Sequence, residues 1–287
     1  MSKNILITGT SSGFGKLMVL TLSEQGHSII AAMRNTTSKN AAVAQELAAL
    51  PNVEVVEMDI TSDESVTQAI TSTIQKYGHL DVLVNNAGST GFGIVEATSI
   101  AQMKKLFEVN LFGVVRAYQA VLPSMRAHKS GLIINISSGF GVVATPFVVP
   151  YQMTKFGLEA LTEGIRHEVK GYGIETVSVL PGPFPTEIGA KAASFGPDRP
   201  EVLAAYGPAM QTALEQFGGI MEGKITEYGM DAQEVADAVS RLIGMKDGTR
   251  PFQTTVNRMT ADLEQEYADS KLPFKAIWME RMGWSAY

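Results

Sequence analysis

The sequence predicts a single α/β domain built on a parallel sheet covered by helices on both faces. Three observations predict it. Short apolar, strand-like runs alternate with helix-like stretches along most of the chain. The first run ends in a glycine-rich loop that opens a helix, Gly9-Thr10-Ser11-Ser12-Gly13-Phe14-Gly15. No internal repeat, low-complexity tract or linker divides the 287 residues. Right-handed crossovers would place the loops that follow the strands along one edge of the sheet, where α/β folds bind ligands.

Composition narrows the function. Hydrophobic residues make up 45% and charged residues 18% of the chain, the balance of a well-cored globular protein. A net charge of −6 without a basic cluster disfavours nucleic acid or an anionic membrane as partner. The absence of cysteine excludes disulfides, thiolate metal sites and a cysteine nucleophile. The four histidines, His27, His79, His128 and His167, are scattered without metal-ligand spacing, so no metal site is expected. No apolar run approaches the ~20 residues of a membrane span. The N-terminus lacks a charged-then-apolar signal layout, and a cytoplasmic location is expected.

In chain order, residues 3–8 read as the first strand and 16–24 as the helix after the glycine loop. Strand, glycine loop and helix form a phosphate cradle, because glycines let the backbone approach an anion and the helix start offers free N–H groups. The Gly-xxx-Gly-x-Gly spacing lacks the Gly-Lys-Ser/Thr end of an ATP-binding P-loop. Residues 28–33 form strand two, with Arg34 directly after it. In a dinucleotide fold an acid at that place bonds the adenine ribose and an arginine accommodates a 2′-phosphate, so NADP(H) is favoured over NAD(H). Alternatively, Arg34 is a solvated loop charge.

A helix over 41–50 and strand three over 53–58 lead to Asp59-Ile60-Thr61. Asp59 stands at a strand end as a candidate ligand contact, or as part of the cap of the helix over 62–77. Strand four, 81–84, precedes Asn85-Asn86-Ala87-Gly88, a compact turn. A long helix over 99–124, opened by a Ser99/Gln102 capping box, carries Asn110 amid apolar neighbours. That amide is either structural or a site group holding water. Strand five, 131–137, ends at Ser138, and an apolar loop over 139–150 leads to a helix over 151–170. Tyr151 and Lys155 lie at i and i+4, on one helix face. A phenol beside an ammonium, with a hydroxyl from another segment, can give or take a proton at an alcohol or carbonyl.

Strand six, 174–180, ends in Pro181-Gly182-Pro183-Phe184-Pro185-Thr186. The interruption from 187 to 229, rich in Gly, Ala and Met, has the size of a lid or binding loop. A helix over 231–245, a seventh strand over 250–256 and a tail with Phe274, Trp278, Met279, Met282, Trp284 and Tyr287 complete the chain.

Taken together, Thr8-Gly9-xxx-Gly13-x-Gly15, Asp59, Asn85-Asn86-Ala87-Gly88, Asn110, Ser138, Tyr151-xxx-Lys155 and Pro181-Gly182 with Thr186 resemble the short-chain dehydrogenase/reductase family in order and spacing over residues 1–256. The resemblance implies a Rossmann-type, doubly wound, seven-stranded parallel sheet. It implies that Tyr151 is the general acid/base, and that Lys155 lowers the Tyr151 pKa and bonds the nicotinamide ribose. Ser138 would polarise the substrate oxygen, and Asn110 would keep a water in the proton relay. Gly9, Ser11, Ser12, Gly13, Phe14, Gly15, Arg34, Ile60, Ala87, Gly88, Pro181 and Gly182 would line the cofactor site. Asp59 and Asn86 would contact the adenosine half and Thr186 the carboxamide. Domain organisation follows: 1–256 is the binding and catalytic domain with a lid over 187–229, and 257–287 is an extension packed on it or on a neighbouring subunit.

The apolar approach to Tyr151 and the methionines of the lid, Met210, Met221 and Met230, suggest a hydrophobic carbonyl or alcohol substrate. The family's habit of pairing its long helices suggests a homodimer or homotetramer, with Ala160 and Gly164 suited to close contact. A catalytically silent NADP(H)-binding sensor on the same fold, and a methyltransferase with a similar sheet, are the competing functions. The first leaves the Ser138/Tyr151/Lys155 set without a reason and the second leaves the Tyr-Lys helix unexplained.

Overall fold

The computed structural model describes residues 2–188 and 195–284. The expectations for part of the lid (189–194) and for Tyr287 lie outside the described residues. Seven parallel strands form one sheet: β1 (Asn4–Thr8), β2 (Ser28–Met33), β3 (Val53–Glu57), β4 (Val82–Asn85), β5 (Gly131–Ile136), β6 (Ile174–Pro181) and β7 (Gln253–Val256). Their spatial order is β3-β2-β1-β4-β5-β6-β7. The order reverses between β1 and β4, and the crevice outside their carboxyl ends is where such sheets take ligands. The glycine loop leaves β1 there and Asn86 leaves β4.

Continuous apolar strands explain the sheet's burial on both faces. On one side Ile5, Ile7, Val84 and Ile134 pack in one core with Met18 and Leu22 of α1 (Gly13–Glu24) and Leu47 of α2 (Ala41–Ala48). On the other, Leu6, Leu83 and Ile133 meet Val66 and Ile70 of α3 (Asp63–Tyr77). Ser62 caps α3, accepting from the Ser65 amide, and Asp63 and Glu64 follow in its first turn, favourable to the helix dipole.

The helix expected over 99–124 is not one regular helix. α4 (Ile100–Phe107) passes into a π-turn (Glu108–Phe112) and then into α5 (Gly113–His128). Asn110 lies in the π-turn, the kind of helix irregularity that recurs at functional sites. Strand four runs one residue further than expected, which buries Asn85 in the sheet. Its amide donates to Asn135 Oδ1 at 2.8 Å, and Asn135 in turn donates to Tyr118 Oη and Thr162 Oγ1. The next helix, α6 (Val149–Val169), starts two residues before Tyr151, with Pro150 in its first turn, where a missing N–H costs nothing.

The span expected as a lid is largely helical: α7 (Pro200–Ala205) and α8 (Pro208–Glu227). No residue of either helix is fully buried, but α8 carries a half-buried apolar stripe at helical spacing, Met210, Ala213, Leu214, Phe217, Met221 and Ile225, which the sequence reading passed over. α9 (Gln233–Gly244) returns to the sheet through Val235, Val239 and Leu242. Strand seven starts at Gln253, not at 250. Arg250 is instead buried, bonding the carbonyls of Leu242 and Met245 and the Glu175 carboxylate. α10 (Ala261–Arg281) follows β7 and contains no buried residue.

Candidate active site

The glycine loop is shaped by close backbone approach. Gly9 has φ +72°, and a Cβ there would sit 2.8 Å from Ala87 Cα. A Cβ on Gly15 would strike the Gly9 carbonyl and lie 2.6 Å from Asn86 Nδ2. A side chain at Gly13 would face Thr186 at 3.6 Å, so the loops after β1 and β6 flank one groove. Phe14 packs edge-on against Phe184, 5.5 Å between ring centres, and closes the floor between them. Ser11 and Ser12 lead into α1, whose first N–H groups have no partner within the helix.

Asn86 serves the loop differently from its expected adenosine contact. Its side chain donates to the Thr8 and Gly9 carbonyls at 2.8 and 3.1 Å, so its amide N–H groups brace the cradle. Thr8 Oγ1 accepts from the amides of both Asn86 and Ala87 at 3.0 Å.

At the far end of the groove, exposed Arg34 follows β2 and Asp59 follows β3. The Asp59 carboxylate accepts from the Thr61 amide and hydroxyl at 2.9 and 2.8 Å. Partial burial opposes its ionisation, but these two bonds, with Arg34 and Arg116 nearby, hold its carboxyl below the usual range. Glu57 fixes the loop after Arg34 by accepting from the amides of Asn35 and Thr36. Ile60 packs against the start of α5, where a Cβ on Gly113 would collide with it.

Ser138, Tyr151 and Lys155 meet beside this groove, all three buried. β5 delivers Ser138, and the first turns of α6 deliver the other two. Burial pushes the Tyr151 phenol up to about 12, opposed by its hydrogen bond with Ser138. Lys155 was expected to depress the phenol; instead its ammonium lies over the Tyr151 ring, 5.8 Å from the centre, and donates to the Ile136 carbonyl at 2.9 Å. Burial lowers the Lys155 ammonium to about 8, opposed by the charge of Glu159. Asn110 accepts from the Ser89 amide and donates to the Ser89 carbonyl and Thr154 Oγ1. Its side chain joins the Ser89 turn to α6. Gly182 backs onto the first residue after β7: a Cβ there would come within 2.6 Å of the Asn257 side chain. Pro181 ends β6 beneath it.

Aromatic rings cluster around and beyond Tyr151. Phe140 meets the Tyr151 ring edge-on at 6.4 Å. Phe217 of α8 meets Phe147 at 5.6 Å and Phe92 at 6.4 Å, so three distant segments converge. Phe147 takes φ +68°, a costly conformation for a large side chain, and its carbonyl accepts from the Gly93 amide at 2.6 Å. The sequence reading missed Phe92, Phe217, Glu159 and Asn135. Only Glu159 had a sequence signal: it lies four residues beyond Lys155, on the same helix face. Among the described residues there is no cluster of three metal-ligating side chains, and no helix long and apolar enough to cross a membrane.

The profile of the short chain dehydrogenases matches residues 3–195. The 3-ketodihydrosphingosine reductase of Bacteroides thetaiotaomicron is 38% identical over 182 residues, a match that covers 63% of this chain and 64% of that protein. A short-chain dehydrogenase from Streptomyces avermitilis has a TM-score of 0.77 at 29% identity, over 99% of this chain and 98% of the other. A gluconate 5-dehydrogenase from Burkholderia cenocepacia, solved with NADP and tartrate, has a TM-score of 0.61 at 32% identity, over 68% and 78% of the two chains. The chain belongs to the short-chain dehydrogenase family of oxidoreductases.

Proposed function

We propose that the protein is an NADP(H)-dependent oxidoreductase that interconverts a carbonyl and a secondary alcohol on a hydrophobic small molecule. The observation that carries this reading is the meeting of Ser138, Tyr151 and Lys155 beside a glycine loop whose close backbone packing a side chain at Gly9 or Gly15 would break. The loop fits a dinucleotide: Gly9 and Gly15 let it pack closely on Ala87 and Asn86, Gly13 faces Thr186 across the groove, and the start of α1 offers N–H groups to a pyrophosphate. Thr186 and Lys155 would hold the nicotinamide half, Asp59 and Arg34 the adenosine half. The nicotinamide, when bound, supplies the hydride chemistry. Tyr151 would donate a proton to the substrate oxygen as charge develops there, and Ser138 would hydrogen-bond the same oxygen. Lys155 then supplies positive charge on the far side of the phenol.

Arg34 and the lack of an acid after β2 support the 2′-phosphate preference. Phe140 against Tyr151 and the Phe92–Phe147–Phe217 cluster support a hydrophobic substrate, as does the Bacteroides relative's name. The exposed stripe of Met153, Phe156, Ala160 and Gly164 on α6, beside exposed Phe112, suits a subunit contact, and light scattering should return a dimer or tetramer. A monomer at micromolar concentration would count against that assembly.

Fluorescence titration with NADPH and NADH tests the cofactor. NADPH should bind more tightly, by ~10-fold or more, and Arg34→Ala should remove most of that margin, since a lost charge-assisted contact is worth roughly 1.5–3 kcal/mol. Equal affinities would make Arg34 a bystander, and binding of neither would overturn the reading.

A further inference from the structure

We propose that Glu159 is a positioning residue that acts through Lys155, a buried counter-charge holding the ammonium and the turn after Ser138 in place. The inference rests on the reading of Tyr151 and Lys155 given above. Glu159 lies one helical turn beyond Lys155 on α6 and is only 8% exposed. Its Oε2 accepts from Gln253 Nε2 at 2.5 Å, a neutral partner from β7. Its Oε1 is buried with no hydrogen-bond partner among the described residues. A half-satisfied buried carboxylate is expensive, and an apolar residue of similar volume would serve packing better. The position therefore calls for a reason other than packing, and the buried cation one helical turn before it is Lys155, whereas Glu163, one turn beyond, is half-exposed and paired with Lys275.

Two contacts make that reason specific. A Cβ on Gly141 would come within 3.1 Å of Glu159 Cγ, of the Lys155 carbonyl and of Ser137 Oγ. The turn Gly139–Gly141 is thus pressed directly onto the Lys155–Glu159 segment, and Ser138 enters that turn. Glu159 also acts electrostatically on Lys155, favouring its charged form against burial.

The other titratable groups around the pair do not duplicate this. Tyr151 lies on the same helix, neutral and bonded to Ser138. Tyr118 faces Glu159 from α5, kept neutral by full burial and joined to Asn135. Glu264 of α10 reaches the opposite side of the turn, where a Cβ on Gly139 would lie 2.9 Å from it, and its Oε1 is taken by Asn257 and Thr260. Arg166 lies further along α6, stacked on Phe252. The carboxylate that acts on Lys155 is Glu159.

The test is the pH profile of Glu159→Gln and Glu159→Met, both of which remove the buried charge and relieve its desolvation. NADPH affinity, read by fluorescence, and kcat/KM on a reducible ketone are followed from pH 6 to 10. With the counter-charge gone, Lys155 should lose its proton at lower pH, so the alkaline decline of both quantities should move to lower pH. At pH 8.5 the loss should reach roughly tenfold, while values at pH 6 stay close to wild type. Glu159→Asp should recover most of the wild-type profile. An unshifted alkaline decline, or a loss equal at every pH, would overturn the proposal and leave Glu159 a packing residue. Wild-type protein that binds NADPH but turns over no carbonyl would overturn the reading of the reaction instead; the binding profile would still decide the role of Glu159.

Discussion

Helices α6 and α8 have nearly the same length, 21 and 20 residues, and opposite relations to the fold. Nine residues of α6 are buried and none of α8. α6 is pinned to the sheet by Leu158 and Val169, and by Thr162, which accepts from Asn135. α8 reaches the rest of the molecule only through half-buried side chains, Phe217 against Phe92 and Phe147 and Ile225 against the core. The side chains proposed for proton transfer sit on the fixed helix, and an aromatic proposed for substrate contact sits on the loosely held one. Chemistry needs sub-ångström placement, which packing gives. Selection among substrates tolerates, and often needs, an element that can shift.

Three substitutions can break or sharpen this contrast. The largest effect is expected at Tyr151→Phe, which keeps the ring and removes the proton. Turnover should fall by ~10²–10⁴-fold with NADPH affinity and thermal stability retained; turnover within a few-fold of wild type would remove Tyr151 from the mechanism. Lys155→Met should also abolish most turnover, yet stabilise the apoprotein. The folded ammonium titrates at about 8, below its ordinary 10.5, so burying the charge at neutral pH costs on the order of 3 kcal/mol. By the same linkage the unfolded chain holds this proton longer, and wild-type stability should rise between pH 8 and 10. Above pH 10 the buried Tyr151 phenol, titrating at about 12, works in the other direction. A lower melting temperature for Lys155→Met would show that the Ile136 bond outweighs the desolvation. The smallest effect is expected at Phe217→Ala. It should raise KM for bulky apolar ketones by about 3–10-fold, leave kcat for a small ketone unchanged and lower stability by only ~1 kcal/mol, the cost of two ring contacts at a half-buried position. A much larger loss of stability in that variant would mean that α8 is part of the core after all.

The same contrast explains what the sequence made legible. Strands such as Ile5–Ile7 and Ile133–Ile134 announce themselves because burial on both faces requires unbroken apolar runs. Ser138, Tyr151 and Lys155 were legible because a helical i, i+4 pair and a strand end fix their positions without tertiary detail. α7 and α8 were not: α7 is only six residues long, and the half-buried stripe of α8 (Met210, Leu214, Phe217, Met221, Ile225) is interspersed with Gly218, Gly219 and Gly223, poor helix formers that read as loop. The π-turn around Asn110 was equally silent: one extra residue per turn changes no composition, only the register in which Asn110 meets Ser89 and Thr154. The tie between Asn86 and the glycine loop joins residues nearly eighty positions apart, beyond the reach of local pattern.

The Thr8 hydroxyl has a kinetic consequence. By taking both amides of the Asn86–Ala87 turn, it joins the ends of β1 and β4 before any ligand arrives. A receptor already in its bound shape associates in one encounter, at a rate that grows linearly with ligand concentration. Any slower, concentration-independent phase would then belong to a part of the molecule other than this joint.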